Sequence, residues 1–405
     1  MAAPHRLFLF DDPVARGWHP FALTRPAGEL LFGTETLRAR SERVFAARCE
    51  GHFAGDALRG FEEPGAPPCL TGDEPGDNGH RLLLSSRFVP DEAPAEWPGG
   101  SVVVSAGGTP VGIRVPHGTA LPGGIEAGRY PEAWPRVAVE GRVLASPWEL
   151  MATNRERLRA DGARFPGTAL PAGVHRVGDG AISVAPGAVV EAGVVLDTTG
   201  GPVMVGTGAH VRAPGRICGP AWVGPGSTIL GGELAGVSIG PECRVRGEVV
   251  SSLVLGHANK AHDGFLGHSI VGRWVNLGAM TSNSNLKNTY GPVRVQVDGR
   301  TVETGLMKAG CMLGDHVRTG IGTLLDTGTV VGAGSNLFGG RLPPKSVPPF
   351  AWGSGAGSGE YDIERFLDTA AVVMRRRGVT LAPGMRELYR RAFHDTAGLR
   401  AHPGG

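Results

Sequence analysis

Residues 313–337 read L-G-D-H-V-R-T-G-I-G-T-L-L-D-T-G-T-V-V-G-A-G-S-N-L. Leu313, Thr319, Leu325, Val331 and Leu337 stand six apart, and glycine follows three later at Gly328 and Gly334. Strict alternation would suit a half-buried strand, and a spacing of three or four would suit a helix. A period of six fits neither. It describes short strands that each turn one apolar residue inward, with a bend between faces. Three hexads close one triangular coil of about 18 residues. Further upstream, Val205, Val211, Ile217, Val223 and Ile229 keep the same period, as do Val184, Val190 and Leu196. Gly187, Gly193, Gly208 and Gly226 recur at the bends. The pattern predicts a left-handed parallel β-helix over 180–350, about nine coils stacked at about 4.8 Å each. An ordinary β-sandwich, the other candidate, needs turn signals every 8 to 12 residues or so.

The period breaks at 256–268 and again at 286–304. The first break belongs to the stretch 254–291, which holds His257, His262, His268, Lys260, Asp263, Asn276, Asn283, Asn285 and Lys287. The second contains V-R-V-Q-V-D-G-R-T-V-E-T-G, a hairpin turning at Asp298-Gly299. Insertions leave the coil surface and commonly build binding sites. The solenoid ends at P-P-K-S-V-P-P-F, 343–350. A helical tail over 358–400 follows. In it Ile363, Phe366, Leu367, Ala370, Val373 and Met374 share one helical face. A second helix is expected from 383. The tail is expected to cap the open end of the solenoid or to pack on a neighbour.

Outward in the other direction, residues 1–170 read as a small α/β domain. R-L-F-L-F at 6–10 is a first strand, 35–49 a helix, 81–90 and 101–105 strands, and 148–161 a helix. The whole chain has 405 residues, 66 of them Gly and 32 Pro. Hydrophobic residues make up 41%, which argues for packed structure and gives so much glycine a use in repeated turning. The net charge of +2 supplies no global field for nucleic acid or a membrane surface. Five cysteines without CxxC spacing suit a reducing cytoplasm, and no apolar run approaches the length of a membrane span.

A neutral imidazole is the side chain best suited to take a proton near neutral pH. His262, on the first break, could accept one from an amine attacking a thioester. Asn276 lies fourteen residues on and Asn285 nine beyond that. In coils of about 18 residues these three are expected to meet on one solenoid edge, with the amides gripping sugar hydroxyls. Lys260, Lys287 and Lys308 would meet phosphate. A zinc reading competes. His257, His262 and His268 have a spacing similar to the β-helical gamma-class carbonic anhydrases, whose ligands come from adjacent subunits. No third ligand on a neighbouring strand is evident, so no metal site is assigned.

The motifs K-A-H-D-G-F-L-G and V-N-L-G-A-M-T-S-N-S-N resemble the acetyltransferase half of the bifunctional N-acetylglucosamine-1-phosphate uridyltransferase/glucosamine-1-phosphate acetyltransferase family. Across the chain, L-F-L-F-D-D, L-T-R-P-A-G-E-L-L-F-G and N-S-N-L-K-N-T-Y-G resemble a divergent bacterial sugar nucleotidyltransferase group of that family. The resemblance implies a homotrimer that moves acetyl from acetyl-CoA to the amine of a hexosamine 1-phosphate, with glucosamine 1-phosphate favoured. It places His262 as general base, and Lys260, Asn276, Asn285, Lys287 and Phe265 on the substrate. Phe265 stands where the family has Tyr, so one hydroxyl is missing. In the N-terminal domain the family's Gly-rich phosphate loop, approximately G-x-G-T-R, is replaced by D-D-P-V-A-R-G-W-H-P. The domain is also short, a truncated nucleotidyltransferase-like unit. Asp12 and Arg25 are its nucleotide-binding candidates, with Mg²⁺ needed if it transfers a nucleotidyl group. A non-catalytic, sugar-nucleotide-binding trimeric platform is the alternative function.

Overall fold

The computed structural model describes residues 5–71, 79–340, 342–353 and 359–401. Strand β1 (His5–Phe10) is an interior strand of the first sheet. Leu7, Phe8, Leu9 and Phe10 are all buried, as an apolar strand covered on both faces requires. A four-residue helix α1 (Pro13–Arg16) follows. Helix α2 (Leu37–Val44) is shorter than the 35–49 expected. Thr36 caps its start by accepting from the Ala39 N–H at 3.1 Å. Ala46, at φ +49, ends it by turning the chain into β2 (Cys49–Phe53). Then come β3 (His80–Ser85), β4 (Val102–Ala106), β5 (Thr109–Val115) and β6 (Arg136–Ala138). The sheet order is β2-β1-β3-β5-β4-β6. β2 and β3 both run parallel to β1, one on each side, so the chain reverses its direction of growth at β1.

The strand expected over 81–90 is two strands, broken at Ser86-Arg87; the second covers Phe88–Glu92. The helix expected over 148–161 is likewise two, α3 (Pro147–Ala152) and α4 (Asn154–Gly162). Thr153 separates them, and its hydroxyl donates back to the Glu149 carbonyl at 2.7 Å.

From residue 175 the chain winds into a parallel β-solenoid of triangular section. Face I is one nine-stranded parallel sheet, from Ile182–Val184 to Ser346–Val347. Face II runs from Val189–Val190 to Ala351–Gly353, and face III from His175–Val177 to Leu324–Leu325. The hexad residues make the interior. Leu196, Val205, Val211, Ile217, Val223, Leu313, Val331 and Leu337 are buried in one continuous cluster, and Thr319 is buried at its own hexad position. Each buried aliphatic side chain there contributes about 1.5–3 kcal/mol. Val184 is only half-buried, because it sits in the first coil.

Along each face the residue next to the inward one points out, and on face I most of these residues are apolar, Ser183, Ser238 and Ser346 excepted. Leu253, Ile270, Met312 and Val330 pack against Trp18, Phe21, Leu30 and Phe32 of the α/β domain. The two units therefore share a core. The second break forms the expected hairpin, β7 (Arg294–Val297) and β8 (Arg300–Glu303). Asp298 at φ +51 and Gly299 at φ +72 give the left-handed pair that a two-residue turn of this type needs. Val293 and Val295 fold it back over face I.

Helices α5 (Ile363–Arg375), α6 (Pro383–Asp395) and the short α7 (Ala397–Ala401) complete the described framework. Phe366, Leu367, Ala370 and Met374 are buried, and Ile363 and Val373 pack at the margin, so the expected stripe is the packed one. The helices lie along the edge between faces I and II. They reach from Phe350 in the last coil, which meets Phe393 at 5.5 Å, to Glu242, whose carbonyl accepts from Arg377 at 3.5 Å. Leu58 and Phe61 of the α/β domain close over them. No helix among the described residues is long and apolar enough to cross a membrane.

Candidate functional site

The coil length at the first break decides which side chains meet. Asn259 and Asn276 are 17 residues apart and stack on face II, with Asn259 Nδ2 donating to Asn276 Oδ1 at 2.7 Å. His268 and Asn285 are also 17 apart and stack at the edge between faces III and I, with Nδ1 and Nδ2 separated by 2.9 Å. The position above the His262 loop is taken by Met280, whose N–H donates to the Asp263 carbonyl at 3.0 Å. His262, Asn276 and Asn285 therefore do not converge within one chain, contrary to the expectation from a coil of 18. Spacings of 14 and 23 miss a repeat of 17 by three and by six, so each amide falls at a different station around the triangle.

The three imidazoles of the break occupy three different edges. His257 is on edge I–II, stacked at 4.1 Å on Trp274. His262 is on edge II–III, exposed, with no side-chain hydrogen-bond partner among the described residues. His268 is on edge III–I. One chain cannot bring them to one ion, and no group of three or more His, Cys, Asp or Glu among the described residues could hold a metal.

Lys260 is buried in the inward slot of its hexad, level with Val245. Its ammonium bends back to the edge and donates to the carbonyls of Arg246 at 2.8 Å and His262 at 3.0 Å. Burial lowers its pKa to about 8. This lysine braces the His262 loop and does not present a charge to phosphate. Lys287 is half-buried and bonds the Pro292 carbonyl at 2.8 Å within its own loop. Phe265 is half-buried and lies over Gly267, where a Cβ would fall 2.3 Å from its ring and 2.5 Å from the Asn285 amide nitrogen.

Edge III–I carries the more organised constellation. Leu286 and Lys308 form an antiparallel bridge that closes the neck of the insertion. The returning strand fixes both partners of the His–Asn pair. Ala309 N–H donates to the Asn285 carbonyl at 3.0 Å, and Gly310 N–H donates to the His268 carbonyl at 2.7 Å. Burial, then the charges of Lys308 and Arg155, lowers the His268 imidazole to about 4. It is therefore neutral near pH 7.

In the α/β domain the sheet predicts its own site, because ligands settle beyond the carboxyl ends of strands where the strand order reverses. A cavity of about 660 Å³ opens there, lined by Phe10, Phe53 and Leu83 at the ends of β1, β2 and β3. Arg16, Asp56 and Glu126 supply its charge, and Arg16 pairs with Glu126. Neither sequence candidate serves it. Asp12 caps α1 through the Ala15 N–H at 2.9 Å and holds Arg87 at 2.6 Å. Arg25 is 1% exposed, bound to Asp315 and Glu63 at 2.8 Å each, so its guanidinium joins the α/β domain to the solenoid. Arg16, which lines the cavity, went unnoticed in the sequence; it ends α1, in the turn after the first strand where a phosphate loop would stand. The two cavity carboxylates are no preformed cage for Mg²⁺, since Glu126 is already paired.

Residues 7–167 match the family model described as sugar nucleotidyl transferase. A bifunctional sugar-1-phosphate nucleotidylyltransferase/acetyltransferase of Sulfurisphaera tokodaii is 32% identical over 100 residues, 25% of this chain and 25% of that protein. The bifunctional protein GlmU of Methanocaldococcus jannaschii is 34% identical over 86 residues, 21% of each chain. An uncharacterized acetyltransferase of Escherichia coli, YaiX, is 26% identical over 156 residues, 36% of this chain and 64% of that one. The chain thus spans about a quarter or less of the length of the first two relatives. A solved structure of the polysialic acid O-acetyltransferase OatWY covers 46% of this chain and 87% of its own, at 12% identity and a TM-score of 0.19. The sequence resemblance to bifunctional sugar nucleotidyltransferase/acetyltransferases stands on these findings. The family model and the strand order together give the fold class: a nucleotidyltransferase-like α/β domain, a β-solenoid and a helical C-terminal region.

Proposed function

We propose that this protein is an acyltransferase that moves acetyl from acetyl-CoA to the amine of a hexosamine 1-phosphate, glucosamine 1-phosphate being the favoured acceptor. The observation that carries the reading is where the solenoid departs from its period. Its polar, titratable side chains gather at coils five to seven, between the His262 loop and the neck of the insertion. An imidazole takes the proton of the attacking amine there, and backbone N–H groups of the coil meet the oxyanion. The resemblance implies His262 for the first role, braced by Lys260, with Asn276 and Asn285 on the sugar. The relatives named as bifunctional support the reaction class.

Met280, Ile321 and Leu324 lie exposed on edge II–III beside His262. Further copies of this chain, in a homotrimer, would cover that apolar seam and complete a site around His262; sedimentation equilibrium reads the copy number. For the α/β domain the reading is binding of a sugar phosphate or nucleotide sugar in the cavity beside Arg16. Transfer is not assigned to it, because α1 occupies the place of a phosphate loop and no carboxylate cage awaits Mg²⁺.

The test is release of free thiol from acetyl-CoA with glucosamine 1-phosphate, by wild type and by His262→Ala. A loss of about 10²-fold or more supports His262 as the base. Equal rates remove His262 and leave the reaction class standing. Calorimetric binding of acetyl-CoA and a nucleotide sugar without any turnover would favour the second reading, a trimeric binding platform. The burial of Arg25 and Lys260, two cations assigned to ligands, is what keeps that reading in view.

A further inference from the structure

We infer that the proton acceptor of the proposed acyl transfer is His268, oriented by Asn285, at the neck of the insertion on edge III–I. The inference rests on the acyltransferase reading and reassigns its base.

Geometry comes first. A general base works best when a second group fixes its ring, and among the described residues only His268 of the three imidazoles has a side-chain hydrogen bond, Nδ1 to Asn285 at 2.9 Å. Both residues are pinned through their backbones by the returning strand at Ala309 and Gly310, and His268 N–H donates to the Val250 carbonyl at 2.8 Å. His268 is also held at φ +49, a conformation that costs a non-glycine residue energy and gathers at functional positions. Its Nε2 has no hydrogen-bond partner among the described residues, and the residue is half-buried.

The Asn285 amide selects the tautomer. With Oδ1 turned to the ring, Nδ1 carries the proton and donates, and the Nε2 lone pair faces outward. With Nδ2 turned to the ring the roles reverse; the two orientations differ by a half-turn of the amide. The first is the reactive one. As the acceptor amine attacks the thioester carbonyl, an N–C bond forms and Nε2 takes one amine proton. As the tetrahedral intermediate collapses, the C–S bond breaks, the electron pair leaves on sulfur, and the imidazolium returns the proton to it. Amide and free CoA thiol result, with no further reactant. Lys308 and Arg155, the cations that act on the ring, disfavour its protonated form and suit the phosphates of a coenzyme A.

The experiment measures kcat against pH for wild type, His268→Gln and Asn285→Asp, with acetyl-CoA and glucosamine 1-phosphate. His268→Gln is expected to lose about 10²-fold or more in kcat while its thermal midpoint stays near that of wild type. Asn285→Asp places a carboxylate on Nδ1, which favours imidazolium. The acidic limb of its profile is expected to move up by about one pH unit or more, whatever the plateau rate. That shift reports on His268, the imidazole that Asn285 bonds; within one chain Asn285 does not touch His262. Wild-type kcat in His268→Gln, or an unmoved limb in Asn285→Asp, overturns the assignment while acyl transfer stands. A wild type that turns over no acetyl-CoA with any amino sugar overturns both.

Discussion

At the scale of single residues, the first break shows how little separates a ligand-facing group from a structural one. Lys260 and His262 are two positions apart, yet one ammonium is buried against carbonyls and one imidazole is exposed. The inward slot of the hexad makes the difference, since a lysine placed there must bring its charge back to the nearest edge. Gly267 is the companion case. Its backbone suits any residue, but a methyl group there would press on the far ends of Phe265 and Asn285. Gly267→Ala is expected to fold, at a cost of about 1–3 kcal/mol, and to displace Asn285 from His268. Ring ¹⁵N shifts of His268 that match wild type would show that the pair survives. Only the identities of these residues were legible in the sequence; their pairing was not, because a coil of 17 rather than 18 redirects every partner.

At the scale of elements, the bends on edge I–II form a column of left-handed residues. Glycine fills it at Gly187, Gly208, Gly226 and Gly334, and Glu242, His257, Trp274, His316 and Phe350 fill the rest. In the middle coils the side chains stack: Trp274 lies 6.1 Å from His316, nearly parallel, and Phe366 and Tyr389 of α5 and α6 meet His316 edge-on. Neither ring nitrogen of His316 has a hydrogen-bond partner among the described residues. Burial, then Arg318, Arg25 and Arg273, lowers this imidazole to about 3. A depressed folded value means that its stability contribution is intact above the unfolded value of about 6.5 and is lost as pH falls toward 3. His257, lowered to about 4, acts in the same direction. His316→Phe is therefore expected to raise stability at pH 7 by about 1 kcal/mol and to flatten the decline between pH 6.5 and 4. Urea midpoints at the two pH values check it, and parallel declines in both proteins would count against it. The hexad announced this column's spacing, while its aromatic filling waited on α5 and α6.

At the scale of the whole molecule, the α/β domain, the solenoid and the C-terminal helices meet around one buried ion group. Thr24 and Arg25 come from the first, Asp315 and Arg273 from the second, and Glu63 from the loop that touches the third. Removing one partner from such a group leaves the others charged and dry, at about 3–5 kcal/mol. Arg25→Ala is expected to cost that much in urea unfolding, whereas a loss under about 1 kcal/mol would mean that the apolar contacts of face I hold the units unaided.

By itself the sequence determined the solenoid, the hairpin and the apolar face of α5, because each is written as a local period or a turn pair that neighbouring residues enforce. It also named the α/β class of the first domain. Only the tertiary structure decided that this domain lies on face I, that Arg25 is an interdomain tie, and that Asn285 serves His268. Those outcomes depend on the length of one coil and on which surfaces are left to pair. Both are sums over many contacts, and no short stretch of chain records them.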